Sequence, residues 1–486
     1  MNGIPFINQE LILMYQKINS KIMRKFLEEL YYYLPISIQN IGITFFGLHW
    51  FKRRFGGVFK SEIMKCKERE FYTKEQWNSY QISILRKLLV HANNSVAYYQ
   101  ELFTKLGLTN DELSNFELSD LSKLPFLEKN TFRLLGQSNL LSNKLEEKGE
   151  FYGSSGSTGT PTKTRYSIRM HQTYFSIFET RLNYWAGIDY KVPRGVIGGR
   201  RIIREGISKG PFFRYNYIEK QAYFSAYHIS KETVQNYLDG MLKYKVEYMT
   251  GYASANYILA KFIDEMGLKA PKLRAVLTSS EKLTDEMREI FRKVYQCEAF
   301  DSYNGVECCN LISECEYGKL HIVPDVGIVE IVNKDGSYCE PGEIGEIIST
   351  GLLNFDQPLI RYRMGDYVKL SENQNCECKR EMVIVDEIVG RIEDTIIGID
   401  GREMTRFHGV FIGIPKIIES QIIQNALTDF EINIVTDEPF TESDFEQINK
   451  KMKSQLGDVN ITFHFMDSIP RSANGKFKSV ISKIKR

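Results

Sequence analysis

Between residues 246 and 295 the chain switches period three times. Val246–Met249 reads as a short apolar strand, Ala253–Met266 as an amphipathic helix, Leu273–Thr278 as a second strand and Asp285–Tyr295 as a second helix. Strands separated by whole helices need crossover connections, which make neighbouring strands parallel and leave the helices to cover the sheet. An α/β fold with a parallel-rich sheet is therefore expected. From Ile322 to Thr350 the pattern changes to short strands broken at Asp335-Gly336 and Pro341-Gly342, which suggests an antiparallel, barrel-like part. Upstream, residues 61–125 read as amphipathic helices, with Ile82, Leu85, Leu88 and Leu89 on one face of Trp77–Ala92. Near Gly390 the texture changes again, to a smaller α+β segment that runs to the C-terminus.

The stretch Phe151–Arg165, FYGSSGSTGTPTKTR, is the strongest local signal for a ligand. Gly153, Gly156 and Gly159 recur at intervals of three, with Ser154, Ser155, Ser157, Thr158 and Thr160 between them. Glycines let the backbone turn its N–H groups towards a ligand, hydroxyls add donors, and Lys163 and Arg165 add positive charge. Such a loop suits a polyphosphate. It lacks the Gly-Lys-Ser/Thr ending of a P-loop and the spacing of the dinucleotide fingerprint. Taken by its composition alone, a flexible Gly/Ser linker is the competing reading.

Composition narrows the class. A net charge of +2 over 486 residues and the lack of a basic stripe interleaved with aromatics give no case for nucleic acid. Eight cysteines are too sparse for a disulfide scaffold, and MNGIPFINQE carries no secretory pattern. A cytoplasmic setting is expected. Tyr31–Phe51 holds no Asp, Glu, Lys or Arg and is followed by Lys52, Arg53 and Arg54. Pro35, Gln39 and Asn40 argue against a membrane span, because each polar group would need a partner in lipid. A helical hairpin packed on the main domain is the reading. Shallow attachment to a membrane surface is the alternative.

Several motifs occur in one order and together resemble the acyl-adenylate-forming superfamily. SSGSTGTPTK resembles its phosphate loop, Tyr303-Asn-Gly-Val-Glu307 its Tyr-Gly-x-Thr-Glu segment, and Arg361-Tyr-Arg-Met-Gly-Asp366 its Arg-x-Gly-Asp segment. Gly390-Arg391-x-x-Asp394 resembles the interdomain hinge and Pro470-Arg-Ser-Ala-Asn-Gly-Lys476 the terminal lysine motif. Glu314-Cys315, Leu320-His321-Ile322, GEIISTGL, PLIRYRMGD and Cys376-x-Cys378-Lys-Arg are similar to the phenylacetate–coenzyme A ligase-like branch. LYYYLPISIQN, FKRRFGG and Gly251-Tyr-Ala-Ser254 resemble its members linked with capsular polysaccharide biosynthesis.

The resemblance implies a large N-terminal adenylate-forming domain (61–389), preceded by the helical segment 1–60, and a small mobile C-terminal domain (390–486). It implies that ATP activates a small carboxylic acid as an acyl-adenylate, whose acyl group then passes to coenzyme A. The alternatives are direct transfer to a sugar amine or hydroxyl, or a catalytically decayed nucleotide-binding component. Lys476 would stabilise charge during adenylation, Glu307 would hold Mg²⁺, and Asp366 would accept the ribose hydroxyls. Tyr303 would lie along adenine with Ser280 and Glu281 at its edge, and Arg391 would reach ribose or mark the pivot. Ser154–Thr160 and Lys163 would cradle phosphates. Asn304 and Val306 depart from the family's Gly and Thr/Ser, so a hydroxyl expected near the phosphates is missing. Separately, Cys315, Cys376 and Cys378 with His321 have the chemistry of a closed tetrahedral Zn²⁺ site, with Cys309 competing for the fourth position. Cys66 and Cys297 read as core thiols.

Overall fold

The computed structural model describes residues 30–145, 148–153, 162–200, 202–204, 207, 209–391, 396–399, 403–404, 408–411, 414, 416–436, 438–470 and 478–484. The chain is a mixed α/β protein with a separate C-terminal α+β domain. A hairpin of β1 (Gly149–Gly153) and β2 (Lys163–Ser167) flanks the glycine loop, with Gly153 opposite Lys163. Among the described residues, twelve further strands form one sheet. They are β3 (Arg194–Gly198), β4 (Phe213–Asn216), β5 (Gln221–Ser225), β6 (Tyr248–Gly251), β7 (Ala275–Ser279), β8 (Glu298–Asn304), β9 (Leu311–Glu314), β10 (Leu320–Ile322), β11 (Gly327–Val332), β12 (Ile344–Gly351), β13 (Tyr362–Leu370) and β14 (Ile384–Arg391).

The sheet order is 11-12-13-14-10-9-8-7-6-3-5-4. From β8 to β5 every neighbour is parallel, and β4 closes that edge antiparallel to β5. From β8 to β11 every neighbour is antiparallel. Strand β8 is therefore the junction between the two halves. The helices Ala253–Glu265 and Asp285–Tyr295 connect parallel strands, as their apolar spacing requires. Thr284 starts the second by accepting from the Met287 N–H, and Gln296, at φ 53°, ends it in the left-handed region. Strands β6 and β7 both begin two residues later than the sequence pattern suggests, and before β6 Lys245 turns at φ 49°. Their apolar faces and those of Val234–Lys243 and Ala253–Glu265 share one core, while Lys74–Ser95 and Ala97–Lys105 pack a second core over the antiparallel half.

The uncharged stretch near the N-terminus forms a helix, Ile36–Phe55, whose Gln39 and Asn40 face inward. Asn40 Oδ1 accepts from the Tyr215 N–H at 2.9 Å, and Thr44 Oγ1 accepts from the Tyr217 N–H at 3.2 Å. Gln39 accepts from Arg214. These groups satisfy the open side of edge strand β4, where a Cβ on Gly47 would collide with Asn216. The helix turns at Gly56-Gly57 into Phe59–Glu68. No helix among the described residues is long and apolar enough to cross a membrane.

After β14, the C-terminal domain comprises the pair β15 (Ile396–Ile397) and β16 (Glu403–Met404), and a second sheet. The latter contains β17 (Ile417–Gln424), β18 (Asp429–Thr436), β19 (Asn460–Phe465) and β20 (Val480–Ser482), with the helix Glu442–Leu456. Its own core includes Ile422, Ile432, Ile434, Ile448 and Met452.

Within the main domain, Asp325, in the connection between β10 and β11, accepts from Arg69 Nε and Arg181 Nε, each at 2.9 Å, and is fully buried. It ties the helix Phe59–Glu68 and the segment after Ile168–Phe178 to the sheet. Replacing it with Ala leaves Arg181, itself fully buried, without its carboxylate. We expect Asp325→Ala to lower the unfolding free energy by about 3–5 kcal/mol in urea titrations. An unchanged midpoint would show the pair to be dispensable.

Candidate functional site

The carboxyl ends of β7 and β8 and the turn after β8 bring the expected acidic residues together with β13. Asp366 is positioned by a local irregularity. Gly365 adopts φ 80°, and the β12–β13 register shifts between Glu346 and Ile348, so the strand bulges at Met364–Asp366. Tyr303, near the end of β8, donates its hydroxyl to Asp366 Oδ2 at 2.6 Å. Burial first, and the neighbouring Asp366 charge second, push the Tyr303 phenol well above its ordinary range, so it remains a donor.

This contact also reports the shape of the sheet. Strands β8 and β13 are four places apart in the order 8-9-10-14-13, which in a flat sheet means about 19 Å. A tyrosine and an aspartate cannot span that distance. The antiparallel half must curl back on itself, which is the barrel-like character expected from its short strands.

Glu307 lies in the turn between β8 and β9 and is buried. Its Oε1 accepts from Thr162 Oγ1 at 3.0 Å and from the Tyr362 hydroxyl at 3.3 Å. Thr162 is the first described residue after the glycine loop, so Glu307 is tied to that loop's exit. Gly305 is needed there, since a Cβ would stand 2.7 Å from Glu307 Oε2. Val306 contributes its backbone: its carbonyl accepts from the Tyr166 hydroxyl. Asn304 is exposed. Thr162 and Tyr362 lay inside motifs already singled out but had no role assigned; the signal was their hydroxyl chemistry within a ligand-binding segment.

The remaining positions differ in what they do. Ser280 is strained at φ 71°, and Glu281 accepts from both the N–H (2.9 Å) and the hydroxyl (2.6 Å) of Ser254. The Glu281 carboxylate thereby caps the first turn of Ala253–Glu265, a structural role that sequence reasoning missed. Lys163 is exposed, with Nζ 3.5 Å from Gln137 Oε1. Arg391 pairs with Asp366 across β13 and β14, at the strand's last position. Arg361 is structural: it is buried in an ion pair with Glu330 at 2.9 Å and also donates to Ser122 and Leu124 carbonyls. Ser154, Ser155, Gly156, Ser157, Thr158, Gly159, Thr160 and Lys476 lie outside the described residues.

The cysteine cluster assembles from separate segments. Cys315 follows β9, His321 is in β10, and Cys376 and Cys378 precede β14; one donor atom from each lies within 4.8 Å of the others. Cys315 and Cys376 sulfurs are 3.7 Å apart, and Cys378 Sγ is 3.4 Å from His321 Nε2. Hydrogen bonds from Cys315 and His321 draw the Cys378 thiol down towards the thiolate, while the same Cys378 contact pushes Cys315 up. Nδ1 of His321 faces the Met382 carbonyl at 3.4 Å, which leaves Nε2 on the cluster side. Three sulfurs and one imidazole fit tetrahedral Zn²⁺. Cys309 is elsewhere, 4.0 Å from Met364 Sδ, so His321 takes the fourth position in the cluster. Cys66 and Cys297 are buried, and desolvation pushes their thiols up to about 11 and about 12.

Residues 402–483 match the family described as CapK C-terminal domain. Protein CapK of Staphylococcus aureus is 24% identical over 94% of this chain and all of its own length. The phenylacetate–coenzyme A ligase of Thermus thermophilus is 24% identical over 86% of this chain and 99% of that protein. A crystal structure of 2-hydroxyisobutyryl-CoA ligase, in the postadenylation state with an acyl-AMP, overlaps 86% of this chain and 92% of that one. The TM-score is 0.67 at 14% identity. In fold the chain is similar to this ligase, and its relatives include CapK and the phenylacetate–coenzyme A ligases.

The chemistry of the cluster makes a direct prediction. Protein purified without added metal should carry about one equivalent of zinc by elemental analysis, and Cys376→Ser should lose most of it and unfold at lower temperature. Zinc far below one equivalent, or a variant with unchanged metal content and stability, would remove the site.

Proposed function

We propose that this protein uses ATP to activate a carboxylic acid as an acyl-adenylate and then transfers the acyl group to a thiol, that of coenzyme A. The observation that carries this reading is the convergence of Tyr303, Asp366 and Glu307 beside the exit of the glycine loop. In the first half-reaction a carboxylate oxygen attacks the α-phosphorus, the bond from that phosphorus to the bridging oxygen breaks, and pyrophosphate leaves. In the second, the thiolate attacks the acyl carbon and AMP departs. Asp366 is suited to accept ribose hydroxyls, and Tyr303 orients it. Glu307 supplies a hard oxygen donor for Mg²⁺, which would neutralise phosphate charge.

Lys476 is proposed as the cation that stabilises the adenylation transition state. The domain that carries it would pivot near Gly390, whose φ is 90°, between the two half-reactions. The structural cysteine cluster is proposed to hold zinc.

ATP–pyrophosphate exchange over a panel of carboxylic acids tests the first half-reaction. Acid- and Mg²⁺-dependent exchange without coenzyme A is expected, and no exchange with any acid would overturn the reading. Lys476→Ala should slow adenylate formation about a hundredfold or more. Supplied with synthetic acyl-adenylate, the variant should still transfer the acyl group at near wild-type rate. Equal loss in both half-reactions would contradict the two-position role of Lys476.

A further inference from the structure

Helix Ile36–Phe55 does not fill all the space above the parallel half of the sheet. A cavity of about 310 Å³ is lined by Arg54 of the helix, Val196 of β3, Gln221 and Tyr223 of β5, and Arg200 just beyond β3. Among the described residues its charge is unbalanced. Arg194 and Arg200 are near enough to Arg54 that, after burial, they lower its affinity for a proton, and Glu219 is the carboxylate that opposes them. Glu219 Oε1 is shared by Arg54 Nη1 and Arg194 Nη2, each at 3.2 Å, and its Oε2 accepts from Asn216 at 2.8 Å. One carboxylate thus serves two guanidiniums while a third stands by. Arg54 Nε is buried with no hydrogen-bond partner among the described residues. Arg200 is exposed and donates to the Tyr223 hydroxyl at 3.1 Å, with its guanidinium 5.4 Å from that ring's centre.

A guanidinium surplus that includes a buried donor without a partner among the described residues is costly unless an anion completes it. Guanidinium groups match carboxylate and phosphate oxygens in number and plane. The cavity's position indicates which anion. Gly198–Arg200 leave the carboxyl end of β3, and the loop after β6 is bound to them: the Tyr252 N–H donates to the Ile197 carbonyl at 2.9 Å. Ser254 in turn holds Glu281 beyond β7, next to β8 and Tyr303. The cavity thus runs from Gln221, at the start of β5, to Gly198–Arg200 at the carboxyl end of β3, and this second end lies on the row of strand ends that carries the nucleotide residues. Three strand spacings, about 14 Å, separate β3 from β8.

We propose that the acid activated by this protein carries a second anionic group, a carboxylate or phosphate on its far end, which Arg54 and Arg200 hold in this cavity. The proposal rests on the adenylation reading for the acid's reacting end, but the cavity's affinity for an anion does not. It makes the substrate an elongated dianionic acid rather than a purely apolar one.

The test compares kcat/KM in pyrophosphate exchange for dicarboxylic and phosphorylated acids, each beside its neutral-tailed counterpart. The dianionic acids should be preferred, and Arg200→Ala should cut that preference about tenfold or more, the value of a lost hydrogen bond to a charged group. Preference for neutral tails, or an equal fall for both classes in the variant, would overturn the proposal. Calorimetric titration of the ATP-free protein with the same dicarboxylic and phosphorylated acids provides an independent readout. Binding that weakens in Arg200→Ala supports the site; absent or Arg200-independent binding overturns it. If no acid of any kind supports exchange, the adenylation reading fails while the titration still decides the cavity. If inorganic phosphate or coenzyme A titrates with Arg200 dependence and no dianionic acid does, the assignment to the acid's tail is overturned.

Discussion

The curl of the antiparallel strands is the constraint on which the candidate site depends. Tyr303 and Asp366 belong to strands four places apart, and their 2.6 Å hydrogen bond exists because β9, β10 and β14 bend between them. The same curl brings Tyr362 of β13 to Glu307 at the end of the β8 turn. Two carboxylates with different assignments, one for ribose and one for metal, are thus linked through two tyrosine hydroxyls to one bent surface. Neither needs a loop to close before it is in place.

The cysteine cluster sits on the bend itself. Its four residues come from the end of β9, from β10 and from the segment leading into β14, the three strands that separate β8 from β13. A metal there would fix the curvature by covalent geometry at a distance from the nucleotide. Buried ion pairs act alongside it. Arg361 with Glu330 anchors the start of β13 to β11 and, through the Ser122 carbonyl, to the Leu118–Lys123 segment, and Asp325 fastens the helical layer beneath. Such pairs specify one arrangement more than they add net stability, because their desolvation offsets much of their attraction.

The α/β alternation was legible because strands buried by helices and helices with one apolar stripe leave different periods, and Asp285–Tyr295 matches its pattern to the residue. The motif residues Tyr303, Glu307 and Asp366 were legible as chemistry at a known spacing. Their connection was not: no local pattern in β9, β10 or β14 shows that their curl will seat Tyr303 against Asp366. The inward face of Ile36–Phe55 was readable only in part. Gln39 and Asn40 argued against a membrane span, but that they serve edge strand β4 depends on Tyr215, far along the chain. Glu281 was read as a nucleotide neighbour, whereas its visible work is to hold Ser254, a pairing set by tertiary packing. Arg54 was legible only as one of three basic residues after the uncharged run, and burial is what makes it unusual.

The central claim is that Asp366 and Glu307 divide the recognition of Mg²⁺-ATP between ribose and metal. The most direct measurement is the thermal stabilisation of wild type, Asp366→Asn and Glu307→Ala by AMP and by ATP, each with and without Mg²⁺, since a ligand of the folded state raises its melting temperature by mass action. The account predicts that Asp366→Asn loses stabilisation by both nucleotides, and that Glu307→Ala loses the Mg²⁺-dependent increment with ATP while keeping the response to AMP. An ATP response in Glu307→Ala with the same Mg²⁺ increment as wild type, or an AMP response untouched in Asp366→Asn, would contradict it.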